Sequence, residues 1–103
     1  MTKRLPEQED ATLRELVQVL AGLRNEKEVD DLLVALLTPR EREKIALRWK
    51  LVRMLEAGLT QRVIAERLGV SLCKITRGSR ELKTGRAGFR RIVRRVMAAN
   101  RDL

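Results

Sequence analysis

The sequence predicts an all-α fold of about six helices, two of which form a helix-turn-helix. Apolar residues recur at helical spacing along most of the 103 residues, and helix start and stop signals divide them into segments. No segment alternates apolar and polar residues as a half-buried strand would. Because only Trp49 and Phe89 are aromatic, the core must be built from aliphatic side chains and Met.

The N-terminal part of the chain predicts a polar arm and then two short amphipathic helices. The arm covers residues 1 to 8, and a single domain covers residues 9 to 103. Apolar spacing predicts a first helix up to about Arg24, and Asn25 with Glu28 then resembles the capping box of a second helix. A chain this short buries only part of its apolar surface alone, so we expect a second copy to complete the core. The apolar residues of the two helices are Leu13, Leu16, Val17, Leu20, Leu23, Val29, Leu32, Leu33 and Leu36.

A third helix has a clear start signal. Thr38 can act as the N-cap, Pro39 occupies the first helical position, and Glu41 follows three residues after the cap. The helix is expected to end at about Ala57, before Gly58. Its apolar residues spread over most of its circumference, so we expect a central helix that is contacted on several sides.

Residues 60 to 83 have the spacing of a helix-turn-helix. Thr60 and Ser71 are each placed to accept a hydrogen bond from a helix N-terminus. Gly69 stands where the first helix must end in a left-handed residue. An αα-hairpin used only for packing is the alternative. The small and apolar residues that would pack the two helices together are Ile64, Ala65, Leu68, Val70 and Ile75.

The second helix of this motif is placed to act as a recognition helix, because its first turns would meet base edges in the major groove of DNA. The opening of the first helix would lie near the DNA backbone or groove, and the far end of the second helix near a phosphate. The candidate DNA-binding residues are Gln61, Arg62, Ser71, Leu72, Cys73, Lys74, Thr76 and Lys83.

A last amphipathic helix is predicted after a break at residues 84 to 86. Its apolar residues share one face, and four arginines form the other face, which we expect to be solvated. The apolar face consists of Phe89, Ile92, Val93, Val96 and Met97, and the basic face of Arg90, Arg91, Arg94 and Arg95.

The charge balance favours a polyanionic partner. With 23 Lys and Arg against 14 Asp and Glu, the net charge is +9 and the pI is about 11.0. Double-stranded DNA is the partner that the helix-turn-helix favours. A basic RNA-binding module is the alternative, and a strong preference for structured RNA would distinguish it.

Other classes of protein have less support. The chain has no histidine, no metal-ligand cluster and no Gly-rich phosphate loop, so we expect no enzyme, no catalytic residue and no metal. It lacks a run of about 18 apolar residues, so we expect no membrane contact. A single cysteine cannot form an internal disulfide, which fits a reducing cytoplasm.

Three motifs stand out within residues 36 to 83: LTPRERE at a helix start, TQR at the entry to the helix-turn-helix, and ITRGSRELK at the end of the recognition helix. With these motifs, residues 36 to 83 resemble the core of the tryptophan operon repressors. It implies an intertwined, all-helical homodimer that represses transcription from operator DNA in response to an amino-acid corepressor. L-tryptophan or a related aromatic amino acid is the expected corepressor, and no other cofactor is expected.

The resemblance also implies a ligand site. Arg48 matches the arginine that pairs with the corepressor carboxylate, and Arg77 matches the arginine that lies against the aromatic ring. A guanidinium group can perform either role, although both arginines could be ordinary solvated charges. Gly78 would leave room for a flat ring beside the helix backbone. The backbone carbonyls that match those around the ligand's ammonium group belong to Ala35, Leu37 and Thr38.

Two departures from the family pattern affect specificity. Glu81 replaces a small hydroxyl residue of the pocket, and its carboxylate can hold an ammonium group or pair with Arg77 or Arg48 and occupy the site. The ligand can therefore be tryptophan or another aromatic compound, or the protein can act without one. The recognition surface also differs, so the operator sequence does not follow from the resemblance, although Arg62 matches and can reach a guanine.

Overall fold

The computed structural model describes the backbone of residues 6–99 and the side chains of residues 10–99. This part of the chain is all-α and contains no strand, as the sequence predicts. None of its helices is long and apolar enough to cross a membrane. The six helices are α1 (Pro6–Gly22), α2 (Glu26–Leu36), α3 (Pro39–Glu56), α4 (Gln61–Leu68), α5 (Leu72–Thr84) and α6 (Ala87–Ala99).

The predicted polar arm is too long. Helix α1 begins at Pro6, so residues 6 to 8 are helical, whereas residues 1 to 5 of the arm lie outside the described residues. A proline at the first helical position explains the early start, because its φ suits a helix and its missing N–H would have no partner there. The helices form two compact units that divide between Arg42 and Glu43. The single domain over residues 9 to 103 stays a prediction.

Capping side chains define the helix starts of the first unit. The Asn25 side chain accepts a hydrogen bond from Glu28 N at 2.9 Å, and the Glu28 carboxylate accepts one from Arg24 N at 2.9 Å. In a regular capping box, this carboxylate accepts a hydrogen bond from the backbone N–H of the N-cap residue. Here it accepts the bond from the residue before the N-cap instead. At α3 the box is regular, because Thr38 N donates to Glu41 Oε1 at 2.8 Å and Glu41 N donates to Thr38 Oγ1 at 3.2 Å.

The apolar stripes of α1 and α2 are largely exposed within one chain. Leu13 is 60% exposed and Leu36 is 56% exposed, and none of the described residues of these two helices is buried. Large apolar side chains that are exposed together on neighbouring elements are typical of an interface rather than of a finished surface.

The second unit has the buried core. Leu51 and Val52 come from α3, and they pack with buried aliphatic residues of the three later helices. In the first half of α3, Ile45 and Ala46 are exposed. Within one chain, therefore, only the second half of α3 is contacted on several sides as predicted. The buried residues of α4, α5 and α6 are Ile64, Ile75, Leu82 and Val93.

Glycines and caps make the turns of the second unit. Gly58 has φ 95° after α3, and Gly69 has φ 65° at the end of α4, where side chains other than glycine would be strained. Thr60 Oγ1 accepts a hydrogen bond from Val63 N at 3.2 Å, as predicted. The prediction for Ser71 is wrong in one respect. Ser71 has the extended backbone of an N-cap, but its side chain makes no capping hydrogen bond.

The basic face of α6 is not simply solvated. Arg90 Nε donates to Glu56 Oε2 at 3.2 Å, and Arg94 Nε donates to Glu56 Oε1 at 2.7 Å, so both bind the last residue of α3. The Glu56 side chain is only 12% exposed. The hydrogen bond from Arg94 and the charges of both arginines hold the pKa of Glu56 below its usual range, against the opposing effect of desolvation.

This ion pair predicts a pH-dependent stability. A lowered pKa means that Glu56 stabilises the fold above about pH 4.3 and that this contribution is lost as the pH falls through the lowered value. In urea unfolding at one protomer concentration, Glu56→Gln should be less stable than the wild type at pH 7, and this difference should disappear as the pH falls through the lowered pKa of Glu56. Glu66→Gln, on the exposed surface of α4, is the control and should show no such pattern. A pH dependence identical to that of the wild type would mean that the pair contributes nothing.

Candidate nucleic-acid interface and ligand pocket

The helix-turn-helix consists of α4 and α5, joined by the left-handed turn at Gly69. The buried side chains Ile64, Ile75 and Leu82 hold the two helices on the core, so the opposite surface of the motif faces solvent. Across that surface, Thr76 Oγ1 donates to Gln61 Oε1 at 3.5 Å, a distance at the outer limit of a hydrogen bond.

All of the predicted DNA-binding residues are exposed, which a contact with DNA requires. Leu72 is 57% exposed at the start of α5. An exposed large apolar side chain does not stabilise the fold by burial, and it is typical of a contact surface. Cys73 is a free, exposed cysteine in the same turn. These positions fit the predicted interface, and the contacts themselves stay a prediction. The exposed set is Gln61, Arg62, Ser71, Leu72, Cys73, Lys74, Thr76 and Lys83.

A pocket of about 390 Å³ lies between α3 and α5, with Phe89 of α6 at its edge. Four of the predicted ligand residues line it together, although they come from positions up to 33 residues apart in the sequence. Its volume falls within the usual range for small-molecule sites, and aliphatic side chains form much of its surface. The lining residues are Lys44, Leu47, Arg48, Leu51, Val52, Lys74, Arg77, Gly78, Glu81 and Phe89.

Helical spacing explains which residues reach this pocket. On α3 the polar lining residues are Lys44 and Arg48, one turn apart, and on α5 the lining positions 74, 77, 78 and 81 share one stripe. From the sequence, Lys74 is expected to contact DNA alone, and Lys44 has no expected role. Their spacing from Arg77 and Arg48 was the signal that could have placed them in the pocket.

Gly78 packs closely against α3. A Cβ atom built on Gly78 would lie 2.5 Å from Cδ2 of Leu51, so a larger residue would force either the Leu51 side chain or α5 to shift. Leu51 therefore occupies the space into which a Cβ atom of residue 78 would point, and room for a ring beside Gly78 stays a prediction. Gly78 still contributes to the lining of the pocket.

Glu81 lies at the end of the pocket towards the C-terminus of α5. Its Oε2 atom would be 2.6 Å from a Cβ built on Gly85, so the carboxylate is turned along the helix towards its end. Among residues 10–99, no ion pair joins Glu81 to Arg77 or Arg48. Of the two roles considered for this carboxylate, occupation of the site through those arginines is thus not observed.

The remaining predicted ligand residues belong to the first unit. Ala35 is exposed on α2, and Thr38 is the capping residue of α3. The Leu37 carbonyl accepts a hydrogen bond from Arg42 Nη1 at 2.9 Å, and the same nitrogen donates to the Val34 carbonyl at 3.0 Å. A carbonyl oxygen has two lone pairs, so the Leu37 oxygen keeps one for another donor. Its contact with a ligand ammonium group stays a prediction.

Comparison with known proteins identifies close relatives of the chain. Residues 11–97 match the family described as Trp repressor protein. A Trp operon repressor homolog from Chlamydia trachomatis serovar L2 is 36% identical over 89 residues, which cover 85% of this chain and 95% of that protein. A Trp operon repressor homolog from Vibrio vulnificus is 42% identical over 71 residues, which cover 68% of this chain and 70% of that protein.

Proposed function

Because the chain belongs to the Trp repressor family, we propose that it is a repressor that binds operator DNA as a homodimer in response to an aromatic amino acid. L-tryptophan is the first ligand to test. An aromatic ligand other than tryptophan is the second candidate, and it is favoured by the charged Glu81 and Lys74 in the pocket lining. A form that needs no ligand is the remaining alternative.

One observation carries this proposal: Arg48 of α3 and Arg77 of the recognition helix line the same pocket. A ligand whose carboxylate pairs with Arg48 and whose ring lies against Arg77 would contact both helices at once. Such a ligand binds best to the arrangement of α5 that allows both contacts, so it shifts the population of the protein towards that arrangement. If the same arrangement fits the major groove, the affinities for ligand and operator are coupled.

The proposed dimer is tested by sedimentation and by substitutions on α1. We expect an obligate homodimer in which the exposed apolar residues of α1 and α2 are covered by the partner chain. Sedimentation of the wild type at micromolar concentration should give the mass of two chains. Val17→Glu, at a side chain that is 56% exposed in one chain, should weaken the dimer, whereas Gln18→Glu on the same helix should not. A stably folded monomer at that concentration would overturn the proposed assembly.

Two basic residues of the motif are expected to act differently on DNA. Arg62 at the start of α4 is proposed to contact a guanine edge, so Arg62→Ala should cost about 1–3 kcal/mol on the operator and relax the preference at one base pair of each half-site. Lys83 near the end of α5 is better placed for a phosphate, so Lys83→Ala should weaken operator and random DNA alike and reduce the salt dependence.

Binding titrations on operator and scrambled duplexes at several salt concentrations distinguish these roles. Half-sites should lie about one helical turn apart, because a two-fold dimer presents both recognition helices to one face of the duplex. If Arg62→Ala weakens both duplexes equally, Arg62 contacts the backbone. Specificity would then come from residues 72 to 76 or from DNA shape.

A further inference from the structure

The charges of the pocket lining are strongly unbalanced. Two basic residues come from α3, Lys44 and Arg48, and two come from α5, Lys74 and Arg77. Within each pair the side chains are about one helical turn apart, where like charges repel one another. Glu81 is the one acidic residue among the lining residues, which leaves an excess of three positive charges around the pocket.

None of the four basic groups is neutralised within the part of the chain that the structure describes. The ion pairs of residues 10–99 lie elsewhere, between Lys27 and Asp31 and around Glu56. The Glu81 carboxylate is turned towards Gly85 at the end of α5, whereas Lys74 lies seven residues earlier, about 10 Å along the helix axis. The two basic pairs therefore remain available to negatively charged groups.

The apolar part of the pocket lining strengthens the effect of these charges. Leu51 and Val52 are buried side chains of the pocket lining, and Phe89 is half-buried. Next to such a surface an ionic contact is screened less than it is in bulk water. An α-amino acid with a neutral ring brings one carboxylate and one ammonium group, so its net charge is zero and it can satisfy only one of the two basic pairs.

From this arrangement, and resting on the proposed function of the same pocket, we propose that the ligand is an aromatic amino acid with a second acid group on its side chain. The α-carboxylate binds Lys44 and Arg48 on α3, and the acid group of the side chain binds Lys74 on α5. The ring lies against Arg77, as in the proposed function, and contacts the aliphatic part of the lining. Such a ligand links the recognition helix to α3 through charge-assisted hydrogen bonds at both ends.

Two probes of nearly identical shape test this charge preference. Calorimetric titration of the full chain with 4-carboxy-L-phenylalanine and with 4-carbamoyl-L-phenylalanine compares a negative group with a neutral one at the same position, and L-tryptophan is titrated beside them. The carboxylate probe should bind about tenfold more tightly than the carbamoyl probe, the size expected for one charge-assisted contact. The difference in affinity between the two probes should become smaller as the salt concentration rises.

Variants of the pocket lysines test whether the preference for the negatively charged probe arises in the pocket. Lys74→Gln should reduce the ratio of the two affinities, whereas Lys44→Gln should weaken both probes alike, because both carry the same α-carboxylate. Arg80→Gln and Lys50→Gln are the controls, because these residues are exposed on the same two helices but do not line the pocket, and they should leave the ratio unchanged. No DNA is present, so a role of Lys74 at the operator does not affect the result.

The titration results distinguish a failure of the proposed charge preference from a failure of the proposed function. Equal affinities for the two probes, or binding of L-tryptophan but of neither probe, overturn the charge preference and leave the proposed function in place. A preference that Lys74→Gln does not change also overturns it. Failure of all three compounds to bind overturns both the charge preference and the aromatic ligand of the proposed function.

Discussion

Replacement of Ile75 by alanine should lower the free energy of unfolding by about 2–5 kcal/mol, the usual cost of removing a large aliphatic side chain from a packed core. Ile75 has no exposed surface and lies on the recognition helix, where it packs with Ile64 and Val93 in the core cluster. The cavity would loosen α5 from the helices on which it rests. Urea unfolding at a fixed protomer concentration measures the change, because the stability of a dimer depends on concentration.

Ile92→Ala is the matched control, since it removes the same atoms from a side chain that is 45% exposed on α6. It should change the free energy of unfolding by less than about 1 kcal/mol. If the two variants were equally stable, the core of the second unit would not depend on Ile75. Operator binding by Ile75→Ala should also fall, because its recognition helix would lose its fixed position.

Loss of either pocket arginine should weaken ligand binding. Arg48→Ala removes the proposed partner of the carboxylate, and Arg77→Ala removes the proposed surface for the ring, so each should cost on the order of 1–3 kcal/mol in calorimetric titration with L-tryptophan. Both side chains are exposed and neither belongs to the core, so both variants should unfold like the wild type.

Arg80→Ala is the control for these two variants. Arg80 is exposed on α5 but does not line the pocket, so its removal should leave ligand affinity unchanged. Unchanged affinity for L-tryptophan in both Arg48→Ala and Arg77→Ala would mean that the ligand binds elsewhere. On DNA, the Arg77 variant should need a higher ligand concentration than the wild type to reach the same operator affinity.

Local signals predict most of the fold. Thr38, Pro39 and Glu41 specify the start of α3 because a capping box uses only residues within one turn, and the structure has both of its hydrogen bonds. Thr60 and Gly69 likewise define α4. The pocket could be approached only through resemblance, because Arg48 and Arg77 are 29 residues apart and nothing local to either one indicates that they line one pocket.

Contacts between residues far apart in the sequence, and the arrangement of individual side chains, could not be predicted from the sequence. The bonds from Arg90 and Arg94 to Glu56 join residues 34 and 38 positions apart, and no periodicity within α6 distinguishes a paired arginine from a solvated one. The side chain of Ser71 is suited to a cap, but residue type alone does not determine whether the capping hydrogen bond forms. The close approach of Gly78 to Leu51 also depends on how two helices cross.

The most direct measurement of ligand-responsive repression is DNA affinity with and without ligand. A duplex selected from a random library by the full chain in the presence of L-tryptophan would be titrated beside a scrambled duplex, and a parallel set would use 4-carboxy-L-phenylalanine. At least one ligand should raise the affinity for the selected duplex by about 5- to 150-fold, the usual range of allosteric coupling, with little effect on the scrambled one. Equal affinity for the selected duplex with and without either ligand would contradict a ligand-responsive repressor.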